Sequence, residues 1–147
     1  MTEIINTCSG TISLAKKLEK DSSDFYERAA ERDVDNKGLF LSFAEENRKF
    51  VTQIERAYYG VISDAIEGCF AFNLNRDDHE FNLEMPGGVS LSVVVEKAIE
   101  IEKKMTDFYN TAAEQSKSLM ADVPRAFKMV VKKRIKREDT LKALLRA

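Results

Sequence analysis

The residues best suited to chemistry in this sequence are two glutamate and tyrosine pairs with identical spacing. Glu19 precedes Tyr26 by seven residues, and Glu102 precedes Tyr109 by the same interval. Seven residues make about two turns of an α-helix, so the members of each pair lie on one side of their helix. Each glutamate lies in the border zone between the apolar arc and the polar rim of its helix, so the pairs could carry chemistry or belong to a solvated flank.

Both pairs belong to an internal repeat. Residues 18–31 recur as residues 101–114, with Glu, Lys, Asp-Phe-Tyr, Ala-Ala and Glu in register. Such an echo inside a short chain indicates two copies of one supersecondary unit. We expect each copy to contain a second helix against which the first one packs.

The composition limits the class of protein. A chain of 147 residues with 44% hydrophobic content suits one domain that spans residues 1–147. Its 23 basic and 25 acidic residues nearly cancel, so we expect no nucleic-acid partner. The sequence has no long apolar span or signal peptide, which predicts no membrane partner. Two cysteines without a CxxC pair fit a cytoplasmic location.

Hydrophobic periodicity predicts four helices. The first covers about residues 8–33 with Ser9 as its N-cap, and the second opens near Lys37 after a short polar turn. The third covers residues 91–117 with Ser90 as its N-cap. The fourth has Pro124 in its first turn and runs to the C-terminus.

The stretch between the second and third helices is predicted to be a packed connection. Residues 70–88 are rich in turn-forming residues but also contain several aromatic residues. We expect Phe70, Phe72 and Phe81 to cover the helices, with a ligand pocket as the alternative. The sequence leaves open whether residues 61–69 continue the second helix or form a separate one.

The second halves of the repeat also align. Phe40, Phe43 and Ala44 correspond to Phe127, Val130 and Val131 at an offset of 87 residues. Each half is therefore predicted to be a helical hairpin. The predicted fold is all-α, an antiparallel four-helix bundle of two hairpins joined by a long crossover connection.

On these features the chain resembles the ferritin-like di-iron carboxylate proteins, and among them the rubrerythrin-like branch. The resemblance rests on the two Glu-x6-Tyr elements, on the Phe-x-x-Phe-Ala-x-Glu run that ends at Glu46, and on the crossover. In that family the first and third helices each supply a Glu, and the second and fourth each supply Glu-x-x-His. The resemblance implies metal-ligand positions at Glu19, Glu46 and Glu102.

The chain departs from the family pattern where the histidines belong. Lys49 follows Glu46 by three residues, and the equivalent positions of the fourth helix are Lys133 and Lys136. His79, the single histidine, lies in the crossover, where we expect a surface or loop-packing role.

Charge counting suggests what the lysines do. Three carboxylates and three ammonium groups sum to zero, so we expect a lysine and glutamate network in place of a di-metal centre. This interpretation predicts no cofactor. The alternative is a partial carboxylate site for iron or another divalent metal, formed by Glu19, Glu46 and Glu102. Without a metal, Tyr26 and Tyr109 are expected to pack at the edge of the core.

The fourth helix carries a basic run that includes Lys132 and Lys133. An acidic partner or a phosphate is one interpretation, and a solvated helix face is the other. Arg134 and Glu138 fall inside the apolar stripe of this helix, which predicts an intrahelical ion pair and a contact in a homodimer.

Two functions follow from the resemblance. The first is a rubrerythrin-like protein with a degenerate di-iron site and a non-catalytic structural, binding or regulatory role. The second is a non-haem iron oxidoreductase that acts on peroxide or oxygen, or a protein that handles iron. The second would need a separate electron donor, because the chain has no rubredoxin-like cysteine module.

Overall fold

The computed structural model describes residues 3–61, 72–82, 84, 90–116 and 122–146. Its long helices are α1 (Cys8–Arg32), α2 (Lys37–Val61), α4 (Leu91–Ser116) and α5 (Asp122–Arg146). A four-residue helix α3 (Arg76–His79) and two short strands, β1 (Ile4–Ile5) and β2 (Leu74–Asn75), complete the described elements. The predicted all-α class is confirmed.

Helix α1 begins one residue before the predicted cap. Thr7 is the N-cap, and its side-chain oxygen accepts a hydrogen bond of 3.0 Å from the backbone N–H of Gly10. Ser9 lies inside the first turn and is exposed, so its prediction as the N-cap is wrong. The reason is that Thr7 has the extended backbone that a capping residue needs, whereas Ser9 is already helical.

Helices α1 and α2 form the first hairpin. Asp33 ends α1, and its carboxylate accepts hydrogen bonds from the backbone N–H and the side-chain amide of Asn36 at 3.3 and 2.6 Å. This short turn returns the chain alongside α1, as the polar sequence predicts. Helix α2 continues through Gly60 to Val61.

Helices α4 and α5 form the second hairpin, and they pack against each other as extensively as α1 and α2 do. Pro124 lies in the first turn of α5, where its missing N–H removes no intrahelical hydrogen bond. Across the two hairpins, α2 packs against α5 and α1 against α4. The four long helices therefore enclose one core, in which every helix touches two neighbours.

The crossover is attached to the helices at several points. β2 pairs antiparallel with β1, with Ile4 opposite Asn75 and Ile5 opposite Leu74. Phe72 and Leu74 are buried in the core, which confirms a packed connection for this part. Val61 is the last described residue of α2, and the predictions for residues 62–69 and for Phe70 lie outside the described residues. Among the described helices, none combines the length and the apolar character that a membrane span requires.

The core is mostly aliphatic and aromatic, with a polar exception at its centre. Phe25, Phe40, Phe50, Phe108 and Phe127 are among its largest fully buried side chains. Charged or strongly polar side chains are buried among them. Those side chains are Glu19, Asn47, Glu102, Arg134 and Arg137.

Candidate functional site

The two glutamates of the repeat lie in the middle of the helical core. Glu19 on α1 is 1% exposed, and Glu102 on α4 is fully buried. The residue one turn before each is buried, Ala15 for Glu19 and Ala98 for Glu102, so each glutamate lies on the apolar face of its helix. An ionised carboxylate at such a position needs compensating partners.

Tyrosines from the opposite helix supply the first partners. The Tyr109 hydroxyl donates a hydrogen bond to Glu19 Oε2 at 2.5 Å. The Tyr26 hydroxyl donates to Glu102 Oε2 at the same distance. Each helix of the repeat thus gives a phenol to the glutamate of the other, and the two contacts form a reciprocal pair. The predicted Glu-x6-Tyr elements meet across the core and not within one helix.

Arg134 bridges the two glutamates. Its Nη2 donates to Glu19 Oε1 at 2.5 Å, and its Nη1 donates to Glu102 Oε1 at 2.6 Å. The guanidinium is fully buried. A planar fork with two donor nitrogens suits two carboxylates at once, which a lysine ammonium does not.

Arg137 extends the network toward the surface. Its Nη1 donates to Asn47 Oδ1 at 2.8 Å and contacts Glu102 Oε2 at 3.4 Å. Its Nη2 donates to Glu46 Oε1 at 2.5 Å, and the Glu46 side chain is 35% exposed. Glu46 is therefore the rim of the cluster. The Arg137 guanidinium also lies over the Phe43 ring, 4.6 Å from its centroid, where a cation is attracted to the aromatic face.

Asn47 ties the second helix into the cluster. Its amide nitrogen donates to Ser22 Oγ at 2.9 Å, while its amide oxygen accepts from both arginines. The cluster consequently draws side chains from all four long helices. We call this set the central network. It comprises Glu19, Ser22, Tyr26, Glu46, Asn47, Glu102, Tyr109, Arg134 and Arg137.

The pKa values of the two buried glutamates are shifted in opposite directions, although both carboxylates contact Arg134. Burial raises the pKa of Glu19, and the attraction of Arg134 offsets only part of this effect. Burial acts on the pKa of Glu102 as well, but Arg134 and Arg137 together outweigh it, so that pKa falls below its ordinary value. The difference follows from the contacts, because Glu102 receives hydrogen bonds from two guanidinium groups and Glu19 from one.

The two tyrosines and Arg134 keep their protons. Burial and the neighbouring carboxylates raise the pKa of Tyr26 and of Tyr109, so both phenols stay hydrogen-bond donors. Burial alone would lower the pKa of Arg134, but the attraction of Glu102 and Glu19 raises it. With all three carboxylates ionised, the two arginines leave one negative charge uncompensated, and Glu46 at the rim places it nearest to water.

The predicted network of lysines and glutamates is wrong, because the cations in it are arginines and not lysines. Lys49, Lys133 and Lys136 are all exposed, and none of them reaches the central network. Arg134 and Arg137, each one residue further along α5, point inward in their place. The error is one of register, since the resemblance predicts Glu46 as the inward residue of α2, whereas the structure buries Asn47 there.

Sequence reasoning missed Arg134, Arg137 and Asn47, although two signals were present. Arg134 falls within the apolar stripe of α5, and the offset of 87 residues that relates the two hairpins relates Asn47 to it. The predicted ion pair of Arg134 with Glu138 gives way to contacts on other helices. Within α5, Glu138 instead lies 3.8 Å from Lys142.

His79 fits the loop-packing expectation. It is 6% exposed and packs edge-on against Phe108, with the ring centroids 5.2 Å apart. It takes no part in the central network.

The residues present do not fit a di-iron centre. All four oxygens of Glu19 and Glu102 already accept hydrogen bonds from tyrosine or arginine. A guanidinium cannot lose its proton to become a ligand, and its charge repels a cation nearby. Among residues 3–61, 72–82, 84, 90–116 and 122–146, no group of three or more histidine, cysteine or acidic side chains is arranged to hold a metal.

A groove runs from the surface toward the central network between α1 and α2. Its volume is about 740 Å³, within the range of small-molecule sites. Glu19, Ser23 and Asn47 line its inner part, and Lys20 and Arg48 are among the charged residues that line its outer part. The groove therefore connects the outer surface of the first hairpin with two members of the network.

Comparison with other proteins adds no relative. No model of a known protein family matches the chain, and no curated protein or solved structure matches it significantly.

Proposed function

We propose that this protein is a rubrerythrin-like, ferritin-fold four-helix bundle in which guanidinium groups take the place of metal ions, and that its role is structural, binding or regulatory. The observation that carries the proposal is the position of Arg134, which bridges Glu19 and Glu102 at 2.5 and 2.6 Å. Two carboxylates that face each other in a core need a cation between them. Here the cation is part of the chain.

The arrangement of the helices supports the ferritin-like part of this proposal. Two hairpins related by a repeat are joined by a long crossover, and the repeated Glu residues meet at the centre of the core. That is the layout from which di-iron carboxylate proteins build their sites. The reciprocal tyrosine contacts are consistent with an ancestral site of pseudo-twofold symmetry.

The hydrogen bonds of the network support the non-catalytic part. Catalysis at a carboxylate metal site requires oxygen atoms with free lone pairs toward the metal. The side-chain oxygens of Glu19 and Glu102 accept hydrogen bonds from five donor atoms on three helices. Removing the bridging cation would leave Glu19 without a cation and Glu102 with only the 3.4 Å contact to Arg137, so metal entry has to displace a structural contact first.

A metal titration tests the proposal. Thermal unfolding of the natural protein is measured with and without Fe(II), Mn(II) or Zn(II), beside the double variant Arg134→Met/Arg137→Met. We expect these metals to leave the unfolding temperature of the natural protein unchanged. A ligand raises this temperature only if the folded state binds it, and under this proposal the natural protein does not bind these metals. The double variant has three uncompensated carboxylates, so we expect these metals to raise its unfolding temperature.

A matched control removes two charges from the same helix without touching the network. Lys133→Met/Lys136→Met is expected to resemble the natural protein with and without metal, since both lysines are exposed. The proposal is overturned if the natural protein, purified without chelators, contains about two transition-metal ions per chain, the stoichiometry of a di-iron site.

The groove favours a second candidate function, a carboxylate oxidoreductase that acts on peroxide or oxygen, or a protein that handles iron. Glu19 is among the residues that line the groove, so a small molecule bound there would lie close to it. Iron-dependent peroxide turnover that disappears in Glu19→Ala and Glu102→Ala would favour this function. The rim variant Glu46→Gln is the gentler test, because it removes a residual ligand position from a partly exposed site.

A further inference from the structure

The segment of the crossover formed by residues 72–82, which we call the strap, is held to the helices mostly by contacts at the surface. The Arg76 backbone N–H donates to Glu3 O at 3.0 Å, and Lys17 forms an ion pair with Glu80 at 2.8 Å. Lys104 on α4 donates to the Glu80 backbone oxygen at 2.9 Å. Partly exposed ion pairs and single hydrogen bonds of this kind each contribute little to stability.

The buried anchors of the strap are three side chains. Phe72 and Leu74 enter the core, and His79 packs against Phe108 of α4 with 6% of its surface exposed. Two of the anchors are apolar, so their burial does not depend on pH. The third is the single histidine of the chain, whose ordinary pKa of about 6.5 lies inside the physiological range.

The His79 imidazole is placed where only its neutral form is well accommodated. Its Nδ1 is buried and has no hydrogen-bond partner among the described residues. The ring packs against Phe108 in a T-shaped arrangement. A protonated imidazole has two N–H donors to satisfy, and at Nδ1 this site offers no acceptor among the described residues.

The charged groups that face His79 come from two elements. On α4, Lys104 disfavours a positive charge on the ring and Asp107 favours it. On the strap itself, Asp78 favours it as well. Asp78 and Asp107 are exposed, so they attract a protonated imidazole outward, toward solvent. Burial outweighs these carboxylates in the closed state and lowers the pKa of His79.

We propose that the strap is an acid-sensitive cover: when His79 gains a proton, its side chain leaves the apolar site against Phe108 and residues 72–82 detach while the four long helices stay packed. The sign of the effect follows from linkage. A group that is buried neutral stabilises the closed state above its ordinary pKa, and this contribution is lost as the pH falls below that value. The open strap uncovers Phe108 and releases Phe72 and Leu74.

The pH range in which the strap is proposed to open lies above the range in which the ion pair of Glu80 with Lys17 is lost. Hydrogen bonding and attraction from Lys17 lower the pKa of Glu80, so the contact between the two persists down to about pH 4.5. Between about pH 6.5 and 4.5, the charge of His79 therefore changes while the ion pair of Glu80 with Lys17 is kept. The pKa of Glu19 is raised as well, but Glu19 lies in the central network, where its side chain contacts Tyr109 and Arg134.

Hydrogen exchange with protection factors resolved by residue tests the proposal between pH 7.5 and 5.0. We expect protection of the strap amides, including those of Arg76 and Glu80, to fall by up to about tenfold per pH unit below 6.5. Protection in α1 and α4 should change far less. The single imidazole resonance, followed by NMR, should titrate below the ordinary value of about 6.5.

Two variants separate the imidazole from the strap. His79→Phe keeps an aromatic ring against Phe108 but cannot be protonated, so its strap protection should not depend on pH. Glu80→Gln loosens the strap while keeping the imidazole, so protection should be lower at every pH and should still fall with acid. The proposal is overturned if strap protection in the natural protein is constant over this range, or if it falls equally in His79→Phe.

Discussion

At the scale of single residues, the protein depends on which basic side chain of α5 faces inward. Arg134 is buried between two carboxylates, and its neighbour Lys133 is exposed. We expect Arg134→Met to lower the free energy of unfolding by about 3–5 kcal/mol at pH 7, because it leaves a buried charge unpaired. Lys133→Met should change it by less than about 0.5 kcal/mol. Urea denaturation of both variants measures the difference, and equal losses would contradict the register seen here.

The two buried glutamates predict opposite pH trends. The pKa of Glu19 is raised, so its contribution to stability is present below about pH 4.5 and is lost as the pH rises through its folded pKa. The pKa of Glu102 is lowered, so its contribution is present above about pH 4.5 and is lost as the pH falls through its folded pKa. We expect the cost of Glu102→Gln to shrink on acidification, and the cost of Glu19→Gln to shrink as the pH rises.

Unfolding free energies of the two glutamine variants and the natural protein, measured from pH 3.5 to 7.5, provide the comparison. Parallel trends in the two variants would contradict the opposite pKa shifts. In the variant Arg137→Met we expect the pKa of Glu102 to rise, because Glu102 loses one of its two guanidinium partners. An unchanged pKa of Glu102 would show that Arg137 does not distinguish the carboxylates.

At the scale of elements, the start of α1 is set by one side chain. Thr7 caps the helix through Gly10, and a Cβ added at Gly10 would lie 3.0 Å from both the Thr7 hydroxyl oxygen and Ile5 Cγ2. The cap and the strand β1 are therefore built around a residue without a side chain. This close packing joins the N-terminal strand, the first turn of α1 and, through β2, the strap.

Removal of the cap has a predictable cost. We expect Thr7→Ala to destabilise the protein by about 1 kcal/mol, because the Gly10 N–H loses its acceptor. Ser9→Ala is the matched control and should be neutral or slightly stabilising, since Ser9 is exposed within the helix and alanine is the better helix former. Chemical denaturation distinguishes the two, and a larger loss for Ser9→Ala would restore the cap predicted from the sequence.

At the scale of the whole molecule, the central network makes the two hairpins depend on each other. Arg134 belongs to the second hairpin but pairs with Glu19 of the first, and Tyr26 of the first pairs with Glu102 of the second. Each hairpin alone would expose its apolar face. The polar side chains that it contributes to the central network would lack their partners from the other hairpin. The molecule should therefore unfold as one unit.

Separated fragments test this interdependence. We expect a fragment of residues 1–61 to show no cooperative thermal transition by circular dichroism, because it lacks both arginines of the network. An equimolar mixture with a fragment of residues 62–147 should regain helicity and a sigmoidal transition. A sharp transition in the first fragment alone would mean that the hairpin is stable without Arg134.

The sequence by itself determined the helices and the hairpins, and it singled out the repeated polar residues of α1 and α4. Periodicity and turn chemistry are local properties, so the boundary at Lys37, the start at Leu91 and the Pro124 turn could be predicted closely. The internal repeat identified Glu19, Tyr26, Glu102 and Tyr109, because a repeated helix must present the same face twice.

Only the tertiary structure decided what lies between those residues. A shift of one residue turns a helical side chain by about 100°, and this separates the exposed Lys133 from the buried Arg134. Sequence patterns cannot resolve that angle for a long basic side chain, which suits a helix margin as well as a paired site in the core. The choice depends on the energy of desolvation, since a charge enters the core only where opposite charges from other helices receive it.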